Sequence, residues 1–99
     1  MRLTADQCQA IRQEVDRIFG AGATVRLFGS RVNDQARGGD IDLYIEAEGS
    51  PGELMDRELK LRGRLQRRLG EQRIDVVVHG HGQPLRPIDQ HARETGQSL

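Results

Sequence analysis

The chain has 99 residues, and its 15 basic and 15 acidic side chains cancel to a formal net charge of zero. That length implies a single domain over 1–99, burying roughly 60–70% of its unfolded surface around an economical core. The balanced charge argues against direct nucleic-acid binding, the one cysteine excludes an internal disulfide and suits a reducing cytosol, and no stretch approaches membrane-spanning length.

Thr4 and Gln7 form a Thr-x-x-Gln capping box, and Cys8, Ile11, Val15 and Ile18 follow at helical spacing until Gly20 and Gly22 end the helix. Cys8 lies on that apolar stripe and reads as core. Thr24 to Phe28 alternates as strand one, with Val25 and Leu27 on one face. Gly29-Ser30 is the turn after it, and Ser30 is placed to cap a short helical turn through Arg31 to Asn33. A polar loop, Asp34 to Gly39, leads to strand two, Ile41 to Glu46.

Ser50-Pro51-Gly52-Glu53 is the strongest helix start in the chain, with Ser50 as N-cap, Pro51 at the first helical position and Glu53 closing the capping box. Leu54, Leu61, Leu65 and Leu69 form one stripe of this helix, which stops at Gly70. Arg57, Arg62, Arg64, Arg67 and Arg68 make its outer surface basic and solvated. Arg73 to His79 is strand three, and Pro87 opens a last helix that ends before Gly96, with Ile88 and Ala92 facing in. His79 and His81 flank a glycine in a loop without further ligands and read as solvent-facing rather than as a zinc site.

The order is therefore α-β-(short α)-β-α-β-α. This is an α/β (α+β) domain with a small mixed three-stranded sheet and flanking helices. Strand two, the long helix and strand three form a βαβ unit, which favours parallel strands with a right-handed crossover. Both strands then begin at one edge. Strand one ends at that same edge if it runs antiparallel to strand two.

That edge gathers the residues that carry chemistry. Strand alternation points Asp40 and Asp42 to one side, while Ile41, Leu43 and Ile45 point to the other. Asp75, early in strand three, comes beside them. Carboxylates on a rigid strand suit a hard divalent cation, which takes oxygen ligands and substrate phosphates. Three of them can seat two ions roughly 3.5–4 Å apart. The Gly29-Ser30 turn offers backbone N–H groups and a hydroxyl to phosphate oxygens, and Arg31 adds positive charge nearby. Tyr44 shares the face of Asp42, either lining the site or covering it.

Phe28-Gly29-Ser30, nine spacer residues, Asp40-Ile41-Asp42-Leu43 and the later Arg73-Ile74-Asp75-Val76 together resemble the signature of the DNA polymerase β nucleotidyltransferase superfamily. The length and Gly29-Ser30-Arg31 resemble its minimal nucleotidyltransferase branch. The resemblance implies a polymerase-β-like core, two Mg²⁺ ions (Mn²⁺ as an alternative) and ATP as substrate. It makes Asp40, Asp42 and Asp75 the metal ligands and catalytic residues, and Gly29, Ser30 and Arg31 the triphosphate-binding ones. It also implies an antitoxin-like role, in which AMP passes to a tyrosine of a HEPN-type helical toxin in the cytoplasm. Two alternatives stand beside it: an inert antitoxin acting by contact, and a transferase for small molecules.

Overall fold

The structure is a computed structural model that describes residues 3–29, 40–70 and 72–99. Helix α1 (Ala5–Phe19) precedes strands β1 (Thr24–Phe28) and β2 (Ile41–Ala47). Helix α2 (Pro51–Leu69), strand β3 (Ile74–Gly80), helix α3 (Pro87–Thr95) and a two-residue strand β4 (Gln97–Ser98) follow. The short turn expected at Arg31 to Asn33 lies outside the described residues.

Local chemistry sets the helix starts. Thr4 Oγ1 accepts from the Gln7 N–H at 3.1 Å, and Gln7 Oε1 accepts from the Thr4 N–H at 2.9 Å. Ser50 and Glu53 make the same reciprocal pair at 3.2 and 3.0 Å, with Pro51 contributing a preset φ at a position that needs no N–H donor. Arg57–Glu53 and Arg62–Glu58 ion pairs then lace the outer surface of α2, as its mixed charges lead one to expect.

The sheet order is β3-β2-β1-β4, with β2 and β3 parallel and β1 antiparallel to both β2 and β4. Among the described residues it thus has four strands where three were expected. β4 is two polar residues with no pattern of their own; it forms because β1 has a free edge whose backbone groups need partners. Ile41, Leu43, Ile45, Leu27 and Val76 pack beneath α1 and α2 against Ile11, Val15, Leu61 and Leu65, forming the main core. The opposite face carries a smaller cluster, Phe28, Tyr44 and Ala92, with Val77 beside it, under α3.

Three residues sit differently from their sequence reading. Ile88 is 39% exposed, and Asp89 is buried one position along, because the Arg86 guanidinium bonds both its carboxylate oxygens and permits a charged side to face in. His79 is buried rather than solvent-facing, since β3 runs on to Gly80 and pairs His79 with Glu46 across the sheet. Its Nε2 lies 2.9 Å from the Gln83 carbonyl oxygen. Cys8 is only half-buried.

Candidate active site

The β2–β3 register sets Asp42 opposite Asp75 and Ile41 opposite Ile74. The Ile41 N–H donates to the Arg73 carbonyl at 2.9 Å, extending the pairing one step so that Asp40 stands abreast of Arg73. Strand alternation turns all four side chains to one face. The result is a two-by-two grid: Asp40 beside Arg73, and Asp42 beside Asp75. Arg73 Nε lies 3.5 Å from Asp40 Oδ2.

β1 closes the site from the other side. Its antiparallel register places Phe28 opposite Asp42, so the chain turns at Gly29 directly against that carboxylate. Gly29 has φ +77°, in the left-handed region that favours glycine, and a Cβ there would run into Asp42 Oδ2. Two independent constraints therefore require glycine at this turn. Ser30 and Arg31, the other expected phosphate-binding residues, lie outside the described residues.

The electrostatics single out Asp42. Burial first, then the charges of Asp75 and Asp40, push its carboxyl above the ordinary aspartate range, and Arg73 offsets only part of this. Among the described residues Asp42 and Asp75 have no ion-pair partner, while Asp40 has Arg73. Tyr44, the next residue on this face of β2, is buried with Phe28 and Ala92 under α3, so it covers the floor behind the site.

The donor set fits a hard divalent cation. Three carboxylates share one sheet end, and the glycine at position 29 lets the Asp42 carboxylate lie directly against the turn. Among the described residues, no three His, Cys, Asp or Glu side chains are drawn together as tightly as a preformed metal shell. Asp40 is paired with Arg73.

Arg73 is the site residue that sequence reasoning missed. Its signal was present: it lies two residues before Asp75, hence on the same face, but its partner emerges only once the β2–β3 register is known.

A family model described as nucleotidyltransferase domain matches residues 8–93, a span that takes in Gly29 and all three aspartates. No curated protein matches the chain.

Proposed function

We propose, from the premise that the chain belongs to the nucleotidyltransferase domain family, that it transfers AMP from ATP to a tyrosine hydroxyl of a partner protein, a HEPN-type toxin. The observation that carries the reading is the in-register placement of Asp42 and Asp75 beside Asp40, facing the Gly29 turn. The protein acceptor is supported by the openness of the site. Asp40 is 39% and Arg73 78% exposed, which suits an acceptor that is itself a folded surface. The partner and the tyrosine rest on the likeness to minimal nucleotidyltransferases.

In this reaction the acceptor oxygen bonds to the α-phosphorus, the bond to pyrophosphate breaks, and the hydroxyl proton is lost. Asp40, Asp42 and Asp75 would hold Mg²⁺, which supplies positive charge to phosphate oxygens when bound. Gly29 has no side chain of its own, which would let the backbone of the turn approach the triphosphate. Asp75 lies on β3, the outer strand of the sheet, where a carboxylate favours loss of the proton from an incoming hydroxyl.

The test is label transfer from α-labelled ATP to the co-expressed partner in Mg²⁺. Transfer should disappear in Asp42→Asn and Asp75→Asn proteins that remain folded. Undiminished transfer by either variant removes that residue from the mechanism, and label arriving from the γ-phosphate instead would overturn nucleotidyl transfer itself.

A further inference from the structure

Arg73 is the one cation that the described residues bring to the sheet end where Asp40, Asp42 and Asp75 gather. We propose that it is an exchangeable counter-ion: it occupies Asp40 while no divalent cation is bound, and turns to the nucleotide's phosphates once a cation takes Asp40. The proposal rests on the metal-dependent reading of the same site.

Three features point to exchange rather than a fixed structural bridge. The contact is long, 3.5 Å from Nε to Oδ2 at its shortest, without the paired short bonds of a guanidinium–carboxylate fork. The Arg73 side chain is 78% exposed and sits at the start of β3, the outer strand, with no further described strand beyond it to confine it. Exposed ion pairs of this kind hold weakly. By contrast, the Arg86–Asp89 pair shows what a fixed bridge looks like in this fold. There the guanidinium reaches both carboxylate oxygens, at 3.0 and 2.9 Å, and the aspartate is buried.

Exchange also solves two electrostatic problems with one side chain. Without a cation the grid carries three negative charges, and Arg73 lowers the repulsion felt by Asp42. With a cation on Asp40, the guanidinium is released beside the carboxylates at which a metal-bound triphosphate would arrive. A planar guanidinium can then take two phosphate oxygens at once, which a lysine ammonium does less well.

The experiment is calorimetry with Mn²⁺ alone, followed by a non-hydrolysable ATP analogue added to the Mn²⁺-loaded protein. Arg73→Gln should bind Mn²⁺ about two- to fivefold more tightly, the scale of a weak exposed ion pair, because its competitor is gone. The same variant should bind the analogue about tenfold more weakly, or worse. Arg73→Lys should return Mn²⁺ affinity toward wild type while leaving analogue affinity reduced. In an Asp40→Asn background, removing Arg73 should raise Mn²⁺ affinity clearly less than it does in the wild-type background, the non-additivity that a double-mutant cycle reads. If wild type binds Mn²⁺ through Asp42 but Arg73→Gln matches it in Mn²⁺ affinity, the exchange is wrong and the metal site stands. If wild type binds no Mn²⁺, or Asp42→Asn binds it equally well, the metal reading and the exchange fall together.

Discussion

Replacing Asp42 by asparagine should stabilise the metal-free protein, which is the reverse of what removing a charged, partly buried side chain usually does. Neighbouring strands lie about 4.8 Å apart, so the Asp42–Asp75 repulsion is about 0.9 kcal/mol at the dielectric constant of water and about 3.5 at an effective value of 20. Asp40, two residues along β2 and about 6.6 Å away, adds about 0.6 kcal/mol at the lower limit. The site is half-exposed, so the water-like figures are the guide, and Arg73 offsets part of them. Asp42→Asn should therefore gain ~0.5–1.5 kcal/mol in EDTA. Asp40→Asn should gain less, because it also forfeits Arg73. The raised carboxyl fixes the pH dependence. The penalty operates while Asp42 is charged and fades as pH falls through its raised folded value, so the variant's advantage should shrink toward acid. Mg²⁺ at ten times its dissociation constant should stabilise wild type by about 1.4 kcal/mol and the variant less. Urea melts of both proteins, in EDTA and in millimolar Mg²⁺, measure all of this. An Asp42→Asn protein clearly less stable in EDTA, beside a wild type indifferent to Mg²⁺, would refute the reasoning.

Gly29→Val should both destabilise the fold, by roughly 1–3 kcal/mol, and weaken ATP binding, because it meets an unfavourable φ and the Asp42 carboxylate together. Unchanged melts and unchanged calorimetry would place the triphosphate elsewhere. Glu46→Gln should cost ~1–3 kcal/mol, since Glu46 is bonded by Arg26 at 3.2 Å and by Arg93; a stabilised variant would show that its partners do not hold it. At Asp89 burial opposes the charge, but the Arg86 side-chain and backbone bonds outweigh it and hold the carboxyl below the ordinary range. A lowered folded pKa gives stability that is present above pH 3.8 and lost as pH falls through the folded value. Asp89→Asn should therefore be the less stable protein at neutral pH, by about 1.5–3 kcal/mol, with the gap closing in acid melts; a gap that persists at low pH would assign it to packing.

What the sequence disclosed, and what it hid, divides along local and non-local physics. Capping boxes act over three residues and strand alternation over two, so Thr4–Gln7, Ser50–Glu53 and the shared face of Asp40 and Asp42 are legible without a structure. The parallel βαβ geometry then carries Asp75 to the same edge. Charge satisfaction is non-local. Helical spacing places Ile88 inward, but Arg86 neutralises Asp89 and lets that carboxylate face in instead. His79 reads as the solvent-facing end of strand three until Ala47 and Gly80 prove to be paired beyond it. β4 could not be read at all, because two polar residues become a strand only beside the open edge of β1.

The same face of β2 presents Asp40, Asp42, Tyr44 and Glu46 in succession, three carboxylates at alternate positions around one tyrosine. Their surroundings separate them. Glu46 lies under α3, where Arg26 and Arg93 bond it and His79 Nδ1 stands 3.7 Å away. Tyr44 fills the space behind it and closes the sheet to water. Beyond Tyr44, Arg73 is the one cation that the described residues bring to the sheet end, and it offsets only part of the repulsion between Asp42 and its neighbours Asp75 and Asp40. A fold gains nothing by holding like charges together at a sheet end when it has shown, four residues away on the same strand, that it can neutralise one. Perturbed carboxylates of that kind mark functional sites more often than structural ones. The contrast between Glu46 and Asp42 thus marks the first as a residue of the fold and supports the proposed role of the second.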